Sequence, residues 1–485
     1  MPTPQEVLKH FWQYDHFRSG QLKIIEAALN GRDVLALLPT GGGKSICYQV
    51  PAVLLPGLTI VISPLISLMQ DQVQNLLSRG IPATYLASSV DKQEMSSRMI
   101  KLRNGEYTLV YLSPERLKQD AIQAVFKTLT ISLIVIDEAH CISQWGHSFR
   151  PPYRAIAARV KLIRPDTPIM ALTATATPQT ALDLIATLRL QDPYTEKLSF
   201  FRDIAIHVWR ANHVMHKDLQ LLLLLKQLGN QPTIIYASTR ENVELVAHWL
   251  NSLKTFLKLS SVGKYHAGMG ADDREAEQRA FLENTTKIMV ATSAFGMGID
   301  KPDITTVIHY QLPGSIEQFY QEIGRAGRGG QHSQSHLLLA PNDLTIQQAM
   351  ATTHDSKQTT RNSHKLRSLI NFTTQNCCRM QGLCAYFGEQ LETRCSFCDR
   401  CDPSFHFYNQ DTDHLSQQLS HWRTILAKHH NYHPASILND AQLQLISLLK
   451  PTSVQEFKSI SLFGKLWIDR WGKRLLSQSW YNTQH

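Results

Sequence analysis

Short apolar runs alternate with amphipathic stretches along the first half of the chain. Val34 to Leu38, Leu58 to Ile62, Leu109 to Leu112, Ile131 to Ile136 and Ile169 to Leu172 are each bounded by turn residues and too short for core helices. Segments with helical spacing, such as Leu22 to Leu29, separate them. Strands apolar on both faces and joined by helices predict an α/β fold with a parallel sheet covered on both sides. Residues Ser45 to Gln70 carry no charge, but Pro51, Pro56-Gly57 and Pro64 divide them into helix, strand and helix rather than a membrane span. The pattern restarts around Phe200 to Trp209, placing a lobe boundary near residue 205. Strands at Thr233 to Ala237 and Ile288 to Thr292 follow, with a strand-end turn at Tyr265 to Met269. Five leucines, Leu221 to Leu225, flanked by Asp218 and Lys226, predict a buried helix. Lys357, Arg361 and Lys365 line one face of a polar helical stretch, a pattern that fits phosphate contact as well as plain solvation. Leu419 to Ala427, Pro434 to Leu443 and Phe463 to Leu475 predict a helical tail.

Bulk properties narrow this picture. A chain of 485 residues is expected to hold about three domains. A net charge of +9 and a pI near 9.0 favour an anionic partner such as nucleic acid. The segment Met1 to Glu6 lacks the basic region and apolar core of a signal peptide, so a cytosolic protein is expected. In that reducing setting the crowding of cysteines between Cys377 and Cys401 favours a metal over disulfides.

The densest chemistry lies at Leu38-Pro39-Thr40-Gly41-Gly42-Gly43-Lys44-Ser45, between an apolar strand and an amphipathic helix. Consecutive N–H groups of such a turn converge on phosphate oxygens, Lys44 reaches the outer phosphates and the Ser45 hydroxyl can ligate Mg2+. Upstream, the Gln21 amide can both donate to and accept from an adenine edge. The run Ser132 to Ile136 ends in Asp137-Glu138-Ala139-His140. Carboxylates at the carboxyl end of a buried parallel strand face the ligand crevice. Asp137 is expected to hold Mg2+, and Glu138 to orient or deprotonate the attacking water.

Phe17-Arg18-x-x-Gln21, Pro39 to Ser45, Ser63-Pro64-Leu65-Ile66-Ser67-Leu68-Met69-x-Asp71-Gln72 and Asp137 to His140 together resemble a RecQ-family DNA helicase of superfamily two. The segment Cys141-Ile142-Ser143-Gln144-Trp145-Gly146-His147-Ser148-Phe149-Arg150 resembles that family's aromatic-rich loop. The resemblance implies two RecA-like lobes, 1–205 and 206–340, with ATP between them and single-stranded DNA across both. It places Arg18, Gln21, Thr40, Gly41, Gly42, Gly43, Lys44, Ser45 and Asp300 at the nucleotide, and Trp145, His147, Phe149, Arg150 and Thr292 at DNA. Trp145 and Phe149 offer faces for unstacked bases, and Arg150 adds charge. The family usually has acidic residues where Ser148 and Pro152 stand, and an aspartate at Gly329.

In Gln321-Glu322-Ile323-Gly324-Arg325-Ala326-Gly327-Arg328, two arginines three apart on a helix share a face. Arg328 is expected to stabilise charge on the transferring phosphoryl group, with Gln321 and Arg325 holding phosphate and water. Cys395-x-x-Cys398-x-x-Cys401 with an upstream cysteine fits tetrahedral Zn2+ in a module at 341–402. The family-like Tyr386-Phe387-Gly388-Glu389 selects Cys378 as the fourth ligand, with Cys377 and Cys384 as alternates. After a linker at 403–414, residues 415–485 are similar to the all-helical HRDC domain rather than to a winged helix.

The expected protein is a short bacterial-type, monomeric, 3′ to 5′ ATP-dependent DNA helicase of repair and recombination, in the cytosol or nucleoid. Single-stranded and tailed or forked duplex DNA, and single-strand-binding or repair proteins, are its expected partners, and no membrane is. A nucleotide-gated DNA-binding protein, a translocase with little unwinding and an RNA helicase are the alternatives. Lys44, Asp137, Glu138 and Arg328 weigh against the first, and the aromatic loop and cysteine module against the last.

Overall fold

A computed structural model describes residues 2–39, 41–143, 153, 156, 159–160, 166–296, 301–353, 355–402, 414–460 and 463–482. Among these, β1 (Val34–Leu37), β2 (Leu58–Ile62), β3 (Ala83–Leu86), β4 (Leu109–Leu112), β5 (Ile131–Ile136), β6 (Ile169–Thr173) and β7 (Tyr194–Lys197) form one sheet. Its order is β3-β4-β2-β5-β6-β1-β7, and every pairing is parallel. The central strands are buried on both faces because helices cover both sides. Edge strand β7, Tyr-Thr-Glu-Lys, alternates half-buried and exposed positions, so no apolar run announces it.

A second parallel sheet begins with β8 (Ile204–Arg210) and continues with β9 (Thr233–Tyr236), β10 (Val262–Tyr265), β11 (Ile288–Ala291), β12 (Thr306–His309) and β13 (Ser333–Leu339). Its order is β10-β11-β9-β12-β13-β8. In the first lobe, α1 (Pro4–Trp12), α2 (Gln21–Leu29), α3 (Lys44–Leu54) and α4 (Ile66–Leu77) surround the strand ends that carry the site.

Beyond the second sheet, helices Ser356–Thr374 and Arg379–Tyr386 support the cysteine module. Their Leu366, Phe372, Leu383 and the following Phe387 share a core with Phe319 and Tyr320 of the second lobe. Lys365 turns inward rather than joining a solvated stripe. Its ammonium lies 4.0 Å from the Glu317 carboxylate, and burial lowers its pKa against that carboxylate's pull.

The tail is not set apart from the motor either. Leu445, Ile446 and Leu449 of helix Asp440–Leu449 join Leu221, Leu222 and Leu225 of helix Val214–Leu228 in one apolar core. Lys226 Nζ donates to the Leu448 carbonyl at 2.9 Å. A five-leucine run has more apolar surface than one sheet face can cover, and the tail covers the remainder. Among the described residues, no helix is long and apolar enough to cross a membrane.

Candidate functional site

The phosphate loop leaves the end of β1, where Leu38 N–H donates to the Thr173 carbonyl of β6 at 3.0 Å. Gly43 caps α3 at φ 73°, and a Cβ there would stand 2.4 Å from Gln21 Nε2. Glycine is therefore required both for the left-handed backbone and for the close approach. Gln21 is buried, and its amide is committed to the loop: Nε2 donates to the Gly42 and Gly43 carbonyls at 3.2 and 3.1 Å, and Oε1 accepts from Arg18 N–H at 2.8 Å. Arg18 Nη1 in turn donates to the Gly41 carbonyl. The structure thus shows Gln21, the expected base reader, and Arg18 bracing the loop itself.

Beyond β5, Glu138 adopts a left-handed backbone (φ 47°) that turns its carboxylate back toward the loop. There it accepts from Lys44 Nζ at 2.9 Å, with His140 Nδ1 3.3 Å from its other oxygen. His140 Nδ1 also lies 3.0 Å from Thr173 Oγ1, so the hydroxyl-rich end of β6 links the loop to the acidic pair. Burial, then the neighbouring Glu138 carboxylate, push Asp137 up to about 6. Burial would raise Glu138 too, but Lys44 and His140 outweigh it and hold that carboxyl below the usual range. One carboxylate is firmly ionised, and its neighbour lacks a full counter-charge.

The second lobe supplies the other wall. Gln321, Arg325 and Arg328 line the same cleft of about 910 Å³ as Arg18, Gln21, Gly41, Gly43, Lys44, Ser45, Asp137 and Glu138. A Cβ at Gly41 would sit 3.6 Å from Arg328 Cγ. The two arginines do not ride on a helix. Helix Ile316–Ile323 ends at Gly324, and successive turns carry them, with Gly327 at φ 72° and a Cβ there 2.6 Å from Ser333 Oγ. Four glycines between 324 and 330 favour turns over continued helix, yet both guanidinium groups still face the cleft.

This donor set fits a nucleoside triphosphate with Mg2+. The loop is open to phosphate, Lys44 and two arginines converge, Asp137 and Ser45 stand together, and Arg325 Nε is buried without a hydrogen-bond partner among the described residues. Thr292 lies elsewhere, half-buried at the end of β11 with its N–H on the Tyr265 carbonyl. Thr40, Trp145, His147, Phe149, Arg150 and Asp300 lie outside the described residues.

The cysteine centre is separate. Cys378, Cys395, Cys398 and Cys401 place their sulfurs within 4.8 Å of one another. Four Zn–S bonds of about 2.3 Å require S···S separations of roughly 3.8 Å, so the cluster fits Zn2+ with little adjustment. Cys395, against the opposing effect of burial, and the Arg379 and Arg400 N–H groups hold Cys398 down to about 5, so one thiolate is ready for a metal. Cys377 and Cys384 stand outside the cluster, and burial pushes the Cys384 thiol up to about 12. Arg379 braces the centre with a bidentate pair to Asp399, both bonds 2.9 Å, and with bonds to the Phe372, Thr373 and Gln375 carbonyls.

Gln49, which lines the cleft, is a site residue that the sequence pattern did not single out, and His140 stood in the Asp137 to His140 run without an assigned role. The spacing of Ser45 and Gln49 along one helix was the available signal.

Comparison with known proteins agrees with this geometry. Family models match in sequence: DEAD/DEAH box helicase at 18–184, helicase conserved C-terminal domain at 216–330, RecQ zinc-binding at 341–402 and HRDC domain at 413–477. The chain is 39% identical to the ATP-dependent DNA helicase RecQ of Bacillus subtilis over 82% of its own length and 66% of the relative's. It is 43% identical to the probable ATP-dependent DNA helicase RecS of the same organism over 72% of its length and 69% of the relative's. The match thus leaves about a third of each relative uncovered. Saccharomyces cerevisiae Dbp5 bound to RNA and ADP BeF3 shares the fold, with a TM-score of 0.57 at 18% identity over 80% of this chain and 92% of that one. With two parallel-sheet RecA-like lobes, a four-cysteine zinc-binding module and a helical HRDC region in this order, the chain belongs to the RecQ family of superfamily-two helicases.

Proposed function

We propose that the chain is an ATP-dependent DNA helicase that moves 3′ to 5′ on single-stranded DNA and separates duplexes during repair and recombination. It acts as a monomer in the bacterial cytosol or nucleoid. Residues 1–205 and 206–340 are its motor lobes, 341–402 its zinc module, 403–414 a linker and 415–485 its HRDC region. The observation carrying this reading is the single cleft in which Lys44, Asp137 and Glu138 of one lobe face Gln321, Arg325 and Arg328 of the other. Neither lobe alone holds a complete catalytic set, so turnover is tied to the spacing of the lobes.

The loop N–H groups, Lys44 and Ser45 hold the phosphates, and Asp137 and Ser45 would hold Mg2+, which neutralises phosphate charge when bound. Lys44 spans 2.9 Å to Glu138 in the structure. Phosphates that draw Lys44 away remove the larger of the two influences that keep the Glu138 pKa low and leave His140 as the other. Glu138 then becomes basic enough to take a proton from the attacking water, so the base is armed by the substrate it serves. Arg328, with Gln321 and Arg325 beside it, stabilises the charge that develops on the transferring phosphoryl group.

DNA as the track is supported by the net charge of +9 and by relatives named as DNA helicases. In this reading Trp145 and Phe149 offer faces to unstacked bases, Arg150 and His147 add contacts to the strand, and Thr292 meets its backbone. The decisive experiment compares ATP turnover with and without single-stranded DNA, alongside unwinding of a 3′-tailed duplex. Absence of DNA-stimulated turnover would rule out the motor. Turnover without unwinding would favour a translocase. That second reading draws support from the few residues, 403–412, between the zinc-binding and HRDC matches, which leave no room there for a winged helix.

A further inference from the structure

The residues Tyr386-Phe387-Gly388-Glu389 end helix Arg379–Tyr386 of the cysteine module and stand apart from those that line the nucleotide cleft. Their turn lies against residues 198–203, the stretch by which the chain crosses from β7 of the first lobe to β8 of the second. Glu389 holds this crossing with both carboxylate oxygens: Oε2 accepts from the Phe200 N–H at 2.6 Å, and Oε1 accepts from the Ser199 hydroxyl. The Phe387 ring stacks on that of Phe200, with centroids 4.5 Å apart and planes 11° from parallel, and both residues are fully buried. On the first-lobe side, Lys197 Nζ, at the end of β7, donates to the Phe387 and Gly388 carbonyls, both at 3.0 Å. Gly388 has φ 72°, and a Cβ there would stand 2.7 Å from Cγ of Pro178, which opens a first-lobe helix.

The crossing in turn touches both halves of the cleft. Lys197 pairs in register with Leu37, and Leu198 N–H donates to the Leu37 carbonyl at 3.1 Å, immediately before the phosphate loop. The Phe200 carbonyl accepts from the Tyr320 hydroxyl at 3.1 Å, and the residue after Tyr320 is Gln321, in the cleft wall with Arg325 and Arg328. Packing the module on the second lobe requires only the apolar stack. A carboxylate that holds two consecutive residues of the connection, and a lysine that reaches the same turn from the other lobe, add charge-assisted bonds where relative motion of the lobes must be absorbed.

We infer that the turn at 387–389 is a clamp on the hinge between the motor lobes, with Glu389 and Lys197 as positioning residues for the second-lobe arginines, an inference that rests on the nucleotide reading of the cleft. A short connection changes the spacing of two bodies through a few backbone dihedrals. Glu389 restrains those of Ser199 and Phe200, and Lys197 ties the same turn to the edge strand of the first sheet. The crossing is thereby held in the geometry in which Arg325 and Arg328 share a cleft with Lys44. Freed from Glu389, the lobes sample more spacings, and fewer of them complete the catalytic set. Nucleotide affinity changes less, because the phosphate loop, Lys44 and Ser45 all belong to the first lobe.

The test uses the full chain carrying Glu389→Ala, Glu389→Gln or Lys197→Met, and reads ATP turnover with single-stranded DNA, bound zinc, and hydrogen–deuterium exchange of the amides in 198–203. Glu389→Ala is expected to lower kcat roughly 10-fold and to leave KM for ATP within about twofold, the lower end of what charge-assisted hydrogen bonds contribute. Zinc is retained, and the amides of the crossing exchange about 10-fold faster. Glu389→Gln keeps an acceptor for the Phe200 N–H and recovers most of the loss. Lys197→Met lowers kcat about threefold, and combined with Glu389→Ala it loses less than the product of the two effects. Faster exchange with full turnover, or slower turnover with unchanged exchange, would overturn the clamp. If Glu389→Ala loses zinc, Lys197→Met, whose side chain lies outside the module, decides by the same two readouts. A parent without ATP turnover would remove the reading of the cleft, and exchange in 198–203 alone would then decide the clamp.

Discussion

The nucleotide cleft gathers its polar side chains from residues 13 to 328, on two lobes, whereas the cysteine centre takes its four sulfurs from residues 378 to 401. In the cleft, charges of both signs face an open volume, and at least one buried donor, Arg325 Nε, has no hydrogen-bond partner among the described residues. In the cysteine centre the sulfurs accept from backbone N–H groups, Arg379 N on Cys398 and Cys395 N on Cys378, both at 3.4 Å, and the nearby Arg379 spends its donors on Asp399 and three carbonyls. A site that turns over must keep polar groups in reserve for its substrate. A site that holds structure does better with every group satisfied. The two are nonetheless joined, because Phe319 and Tyr320, in the helix leading to Arg325, pack in the core that surrounds the cysteine centre.

That difference predicts an asymmetry, tested first at the largest effect. Cys398→Ser should abolish retention of zinc and forfeit much of a binding energy of order 10 kcal/mol. Metal analysis should show its loss, thermal unfolding a lower midpoint, and turnover should fall as the shared core loosens. Retained zinc with an unchanged melt would break the four-sulfur assignment. Arg328→Ala should reduce kcat by about 10³-fold while zinc content and melting stay as in the parent, because a cleft arginine contributes to turnover and not to packing. A matching drop in melting temperature would show that Arg328 is structural. Asp399→Asn should cost about 3 kcal/mol in denaturant unfolding, since it leaves Arg379 buried without its carboxylate. The smallest effect belongs to Cys377→Ser, expected within about 0.5 kcal/mol of the parent and with full zinc. Loss of zinc in that variant would redraw the ligand set.

Legibility followed the range of the interaction. Gly41 and Gly43 occupy left-handed backbone, and Gly43 a space a Cβ would fill, so the phosphate loop had to be written in glycine and could be read directly. Asp137-Glu138 was marked by the buried strand before it, and the cysteine spacing by the reach of one ion. The edge strand β7 was hidden because an edge needs no apolar run. The turns at Arg325 and Arg328 were mistaken for helix because the i, i+3 spacing of arginines does not register the glycines around them. Lys365 fitted a solvated or phosphate-facing stripe equally well in the sequence, and the structure instead sets it beside Glu317 of a different helix.

By itself the sequence determined the two parallel-sheet lobes, the phosphate loop, the acidic pair, the metal-binding cysteine region and the helical tail. Each depends on local backbone geometry or on an apolar pattern with a fixed period. Only the tertiary structure decided that Gln21 braces the loop, that Lys44 is held by Glu138, and that the tail shares a core with the leucine helix. Those outcomes depend on which side chains meet across long separations in the chain. Such meetings are set by packing and by the pairing of buried charge, and neither leaves a periodic mark in the sequence.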